Sequence, residues 1–432
     1  ARAPEAPSAR GETRSRPAAE TRPRDRPAGG RHRHRAGGIV SSPPPSRGAG
    51  TRRPGGRGRR LSAVSGCHRA DFGCGGGSGR AVAGGRDLPG LRQAGLQRAG
   101  HVLRRASVPA SRIVNAAPGE SPPPGVRAAR RAMGTRFEIF LPGADRAYLL
   151  AAAEEALEEV ERLERQLSLY VSESELTGIN ARAAAGPVQV EPRLFALLET
   201  AAELWKETDG AFDPAAGPLV AAWGFVQGSG GLPAPEVLAA ARAVSGFSLV
   251  ELNPEALTVR FRTPGVQLNL GAIGKGYALD RAAELLRDAG IRSGLIHSGT
   301  SSVYGIGTPP GAMCWRVALR CPPGNVRSPP ETPWAVVELV DQALSVSASH
   351  GRAFLCEGEW LGHVIDPRTG QPVRGVPAAA VLHPSGTVSD ALSTALLVLG
   401  PPGVAHLAAA YPEARALLSG VPASFPTPRH GE

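Results

Sequence analysis

Aromatic residues, long apolar runs and N-terminal lysine are all scarce in this 432-residue chain: Phe, Trp and Tyr make up 5% of it, and residues 1 to 127 contain no lysine. No run of about 18 apolar residues occurs, which excludes an ordinary membrane-spanning helix. Nor does any apolar run near the start approach the roughly 7 to 15 residues of a secretory signal core. Val64-Ser65-Gly66-Cys67 is spelled like a lipoprotein cleavage site, but the preceding RRPGGRGRRLSA has no hydrophobic stretch to engage a membrane. The five cysteines are odd in number and form no C-x-x-C pair, so they support neither a zinc site nor a disulfide framework.

What is present is an uneven charge. The formal +11 of the chain hides a first segment, residues 1 to 127, with 25 arginines, seven acidic residues and a single aromatic, Phe72; the remaining 305 residues sum to −7. A segment so poor in apolar surface cannot offset the entropy of ordering, and disorder is expected. It begins with Ala1 and is built from Arg, Gly, Pro and Ala, the residues of G/C-rich codons. It therefore reads as upstream or out-of-frame sequence joined by an over-extended start, with a plain linker and an RNA-binding Arg/Gly arm as alternatives. The arm lacks aromatics on which bases would stack. An acidic domain behind such a tail is not expected to bind nucleic acid itself.

From about Arg130 strand and helix patterns alternate. Residues 128–420 are expected to form a single α+β domain, a mixed or antiparallel sheet with flanking helices, preceded by the disordered segment 1–127 and followed by a tail, 421–432. Thr135 to Leu141 alternates as a half-buried strand. Asp145 opens a long helix with Leu149, Ala153, Leu157, Val160, Leu163 and Leu167 inward, and its acidic run is a solvated face. Further helices are expected over Pro192–Thr208, Pro235–Val244, Gly276–Ala289, Ser389–Leu399 and Val404–Leu418. Strands are expected at Ser248–Glu251, Leu257–Arg262, Val266–Leu270, Gly294–Ile306, Trp315–Arg320, Trp334–Val340, Ala343–Ala348 and Ala378–His383, with a hairpin from Ala353 to Ile365.

Four clusters exceed what a core requires. GAIGKG at 271–276 is a Gly-rich turn between an expected strand and a helix, suited to an anion or simply an ordinary turn; it lacks the spacing of a Walker A loop. DALST at 390–394 puts Asp390 and Thr394 at i and i+4, a pair that suits Mg2+ or merely a favourable charge in the first turn of a helix. HVIDPRTG at 363–370 offers His363 as a general base, or a surface turn. AFDPAAGPL at 211–219 with WGF at 223–225 is an aromatic loop that could cover a planar ligand or cap the core.

Taken in order, these clusters resemble the ApbE family, the Mg2+-dependent FAD:protein FMN transferases. MGTRFEI at 133–139, LSLYVSESELTGIN at 167–180, AFDP, LNLGAIGKGYALD at 268–280, HVIDPRTG and DALSTALLVLG at 390–400 are each similar to family motifs, over roughly Arg130 to Ser419. The resemblance implies transfer of FMN from FAD to a Thr or Ser hydroxyl of an acceptor protein, with release of AMP. It implies FAD contacts at Met133, Tyr170, Ala211, Phe212, Asp213, Asn269, Lys275 and Val364. It also implies Mg2+ ligation by the Ala272 carbonyl, Asp390 and Thr394, with His363 as base. Lys275 and the amides of the 271–276 turn would neutralise charge on the leaving AMP. Asn269 stands where the family usually has Asp, and the segments HSGTSS at 297–302 and SASHG at 347–351 also depart, which brings in His297 and His350 as further base candidates. The alternatives are a Mg2+-dependent FAD pyrophosphatase giving FMN and AMP, and a non-catalytic FAD-binding protein. Lack of a visible export signal favours the cytoplasm, while family likeness leaves a periplasmic or lipid-anchored location open.

Overall fold

Thr135–Pro142 alternates as its sequence requires, turning Phe137, Ile139 and Leu141 to one face and Phe140 to the other. This strand belongs to a seven-stranded sheet in a computed structural model that describes residues 111–113, 124–226, 228, 230–320, 333–349 and 351–420. The strand order is Arg415–Leu418, Ala378–His383, Gln342–Ala348, Ser302–Ile306, Gly294–Ser298, Thr135–Pro142 and Gly125–Ala132. Every neighbouring pair runs antiparallel. The α+β class expected from the sequence is the one observed.

Three helices cover one face: Arg146–Leu167, Gly274–Asp288 and Gly386–Leu399. The first is capped by Asp145, whose carboxylate accepts the Tyr148 amide at 3.1 Å. Its buried Leu149, Ala153, Leu157, Val160 and Leu163 recur every three or four residues, the stripe that drives packing on the sheet. The other face carries a small sheet of Ser111–Ile113, Trp315–Leu319 and Ala335–Leu339. There Trp315 stands edge-on to Phe140 at 6.3 Å. Burial on both faces explains why Ala378–His383 is apolar without alternation: Ala379 and Val381 meet the helices while Ala378, Ala380 and Leu382 meet the small sheet. A third core joins Leu219, Trp223, Phe225, Ala241, Leu361 and Ile365. Among the described residues no helix is long and apolar enough to cross a membrane.

Several elements differ from expectation. Val266–Leu270, expected as a strand, pairs with no strand among the described residues. Its backbone is held instead by a side chain, since Asn180 donates to the Leu268 carbonyl at 3.0 Å and accepts the Leu268 amide at 2.8 Å. The expected helix over Val404–Leu418 splits into a helix, Pro401–Ala410, and an edge strand, Arg415–Leu418. Tyr411-Pro412 interrupts the helix, and the apolar end pairs with Ala378–His383. The Ser389 helix begins at Gly386 behind a Ser385 cap, so Asp390 lies beyond the first turn. Gly294–Ile306 is two strands around a turn, and short helices at Glu175–Arg182 and Gly217–Ala222 were not foreseen. Strands Ser111–Ile113 and Gly125–Ala132 reach back into the Arg-rich segment, where Arg127 lies over the Phe140 ring at 4.5 Å. The rest of the segment read as disordered, and the tail 421–432, lie outside the described residues.

The Gly274–Asp288 and Gly386–Leu399 helices meet backbone to backbone. A Cβ on Gly276 would stand 2.0 Å from the Gly386 carbonyl oxygen, and one on Gly386 would stand 2.7 Å from that of Gly276. Backbone cannot yield as a side-chain tip can, so Gly276→Ala should destabilise the protein by about 1 to 3 kcal/mol. Gly274→Ala, whose added methyl meets only Leu167 at 3.9 Å, should be near neutral. Chemical denaturation of the two variants provides the comparison; equal midpoints would contradict the close contact.

Candidate active site

The GAIGKG turn and the DALST helix are joined directly. The Gly276 amide donates to Asp390 Oδ2 at 3.0 Å, and Lys275 Nζ lies 3.6 Å from the same oxygen and 3.0 Å from the Gly271 carbonyl. Asp390 is 4% exposed, so its carboxylate is held in place by the first turn of the neighbouring helix. One turn on, Thr394 Oγ1 is 3.0 Å from Ser347 Oγ, which also meets Ser393 Oγ at 2.8 Å. Ala272 is half-buried just before the Gly274 helix, against the main core.

Of the two readings of this turn, an anion cradle or an ordinary strand-to-helix turn, the pairing of its amides favours the second. Gly271 N–H is taken by Asn269 Oδ1, those of Ile273 and Gly274 by the Leu270 carbonyl, and that of Gly276 by Asp390. A Gly-rich turn closed on itself leaves the Lys275 ammonium as its charged group.

The aromatic loop and the HVIDPRTG segment form a second unit. Trp223 Nε1 donates to the Gly370 carbonyl at 2.8 Å, Arg352 to that of Phe225 at 2.7 Å, and the Phe225 and His363 rings meet edge-on at 6.3 Å. The imidazole rests against Gly351, where a Cβ would come within 2.9 Å of Cε1. His363 Nδ1 is buried with no partner among the described residues. Burial lowers the His363 pKa to about 4, and the positive charges of Arg352 and Lys275 push the same way. The influence of Lys275 ties this unit to the first. The imidazole is neutral at pH 7, and its buried Nδ1 keeps an unused hydrogen-bonding capacity among the described residues.

Asn269 links the AFDP loop to the turn, its amide donating to the Pro214 carbonyl at 2.7 Å. Ala211 and Phe212 are buried in the main core, and Val364 packs on it partly buried. Met133 is in the hairpin turn with φ 51°, followed by Gly134 at φ 71°. Its amide donates to Glu164 at 2.7 Å, beside an open pocket of about 460 Å³ lined by Arg131, Thr135, Arg136 and Glu164 among others. Tyr170 is 67% exposed. His297 Nε2 lies 3.8 Å from Glu138, with burial lowering its pKa, and follows Ile296, which faces the helix layer; alternation points it to the opposite face from Asp390. The other alternative, His350, lies outside the described residues.

Asp213 differs from a free ligand contact. Its oxygens accept the amides of Ala215 at 2.7 Å and Phe247 at 3.1 Å, with Trp205 as a further donor, so the carboxylate braces its own loop. Burial outweighs these bonds and raises its pKa to about 6. Asp280, inside the LNLGAIGKGYALD motif, carries no signal of its own in the sequence. The Asp280 carboxylate accepts hydrogen bonds from Ser385, Gly386 and Thr387. The Ser-Gly-Thr opening of that helix was the available signal, hidden because the helix was expected to start later.

The model of the ApbE family matches residues 133–418. A Rhodobacter capsulatus protein named FAD:protein FMN transferase is 37% identical over 281 residues, covering 59% of this chain and 51% of that one. A Treponema pallidum protein of the same name is 33% identical, covering 58% and 72%. The chain thus spans about half the length of the first relative and under three quarters of the second. Among solved structures, the Thermotoga maritima ApbE protein superposes with a TM-score of 0.62 at 27% identity, over 68% of this chain and 94% of that one. The Pseudomonas stutzeri flavinyl transferase ApbE gives 0.60 at 27%, over 68% and 90%.

The Asp213 shift has a stability signature. Its carboxyl ionises at about 6 when folded against an ordinary 3.8, so the folded state holds the proton longer. That contribution to stability is present at low pH and is lost as pH rises from about 4 to about 6. Melting temperatures of wild type and Asp213→Asn across this range should diverge in slope; parallel curves would show that the carboxyl is not so perturbed.

Proposed function

The chain belongs to the ApbE family, and from that premise we propose that it transfers the FMN half of FAD to a Thr or Ser hydroxyl of an acceptor protein with Mg2+, releasing AMP. The observation that carries this reading is the convergence of Lys275 and the buried Asp390 at the crossing of two helices, with the neutral His363 within electrostatic range of Lys275.

The donor set fits a hard cation. Among the described residues no three His, Cys, Asp or Glu side chains group as a metal site. A divalent ion here would rest on one carboxylate, Asp390, with the Thr394 hydroxyl, the Ala272 carbonyl and phosphate oxygens. That is the sparse, oxygen-only pattern of Mg2+. When bound, the ion supplies charge neutralisation at the diphosphate.

The chain's own groups do the rest. Lys275 provides a positive charge for the diphosphate, whose P–O–P bridge must break toward AMP while a new P–O bond forms to the acceptor oxygen. His363 takes the acceptor hydroxyl's proton. It needs to be neutral to do so, and a folded pKa near 4 keeps it neutral across the physiological range. An anionic dinucleotide beside it favours the protonated form and moves the pKa back up, improving the base when substrate is present. The aromatic loop holds His363 through Phe225 and Arg352, so the base sits on a packed unit.

His363→Ala should leave FAD affinity intact and slow covalent flavin attachment by about 10²- to 10⁴-fold. Asp390→Ala should abolish the stimulation by Mg2+. Flavin fluorescence of the denatured acceptor on a gel reads both. Full Mg2+-stimulated transfer by Asp390→Ala would refute the metal assignment. The acid limb of kcat/KM, which reports the free enzyme, should lie at lower pH than that of kcat.

A further inference from the structure

Asp280 lies on the Gly274–Asp288 helix in the same motif as Lys275, and the reaction outlined above leaves it without a task. Its carboxylate accepts four hydrogen bonds, all from the start of the Gly386–Leu399 helix. Oδ1 takes the Gly386 amide at 2.5 Å; Oδ2 takes the Ser385 hydroxyl at 2.8 Å, the Thr387 amide at 2.8 Å and the Thr387 hydroxyl at 2.7 Å. First-turn amides have no acceptor within their own helix, and a carboxylate there also balances the partial positive charge of the helix end. Ser385 is used twice, since its oxygen accepts the Val388 amide at 3.3 Å while its proton goes to Asp280.

The arrangement is reciprocal. Asp390, on the second helix, accepts the Gly276 amide from the first turn of the first. Each helix lends a carboxylate to the other's N-terminus, on either side of a glycine contact with no room for a Cβ. We infer that Asp280 is a positioning residue for the cation site: by gripping the opening of the second helix it sets where Asp390 and Thr394 stand relative to Ala272 and Lys275. The inference rests on the metal reading proposed above. An asparagine would not substitute, because it has one acceptor oxygen and turns an NH2 toward amide and hydroxyl donors. Small displacements of Asp390 matter because Mg2+ demands near-ideal octahedral geometry.

The test is calorimetric titration of Mg2+ into the FAD-bound full chain, for wild type, Asp280→Asn and Asp280→Glu, with melting temperatures measured without metal. Asp280→Asn should weaken Mg2+ binding by about 10- to 100-fold, with the transfer rate recovering at saturating Mg2+ and FAD. Asp280→Glu, which keeps the charge and both oxygens, should recover part of the affinity. A lowered melting temperature with unchanged Mg2+ affinity overturns the inference and makes Asp280 a structural residue only. If Asp280→Asn does not fold, Thr387→Val removes one donor while keeping the shape; weaker Mg2+ binding supports the inference and wild-type affinity overturns it. A wild-type FAD-bound chain that shows no Mg2+ binding in the titration refutes the metal reading itself, and this inference with it.

Discussion

The structure depends on one close contact, the crossing of the Gly274–Asp288 and Gly386–Leu399 helices at Gly276 and Gly386. The two backbones touch there, and carboxylates from each side satisfy the amides that a helix start leaves unpaired. Moving either helix away would uncover polar groups that have no other acceptor, so the crossing is fixed by hydrogen-bond accounting as much as by apolar packing. The same geometry concentrates charge. Asp390, nearly buried, is paid in donors by Gly276 and Lys275, and it stands one helical turn from Thr394.

Around this crossing the rest of the fold acts as support. The antiparallel sheet lies beneath the helices, and Ser347 on its Gln342–Ala348 strand reaches up to Ser393 and Thr394. The small sheet buries the opposite face, so the central strands are packed from both sides. The third core, built in part from Trp223, Phe225 and Leu361, supports the segment that carries His363. The helix that carries Asp390 belongs to the main core, and the His363 segment bridges the two cores, with Leu361 and Ile365 in the third and Val364 packing on the main one.

Much of this was legible in the sequence where local physics decides. The Arg146–Leu167 helix announced itself by its spacing and its Asp145 cap, and the Thr135 strand by its alternation. The motif order carried the family. What was hidden depended on partners remote in sequence: Val266–Leu270 reads as a strand but is satisfied by the Asn180 side chain, and Arg415–Leu418 reads as helix but completes a sheet edge. For the Gly-rich turn an anion cradle and an ordinary turn stay open in the sequence, which cannot show that Asn269 and Asp390 occupy the Gly271 and Gly276 amides. Lys275 of the same turn keeps a charged group beside Asp390. Asp280 was missed because its meaning lies wholly in residues 385 to 387.

Whether this crossing serves flavin transfer to protein is decided by intact-mass spectrometry. The full chain is incubated with FAD, Mg2+ and an acceptor domain bearing a Ser/Thr-Gly-Ala-type flavinylation sequence. The expected result is an acceptor heavier by one esterified FMN on a Thr or Ser, formed only with Mg2+, with AMP released in equal amount. An acceptor of unchanged mass beside free FMN and AMP would contradict the account and make the chain an FAD pyrophosphatase.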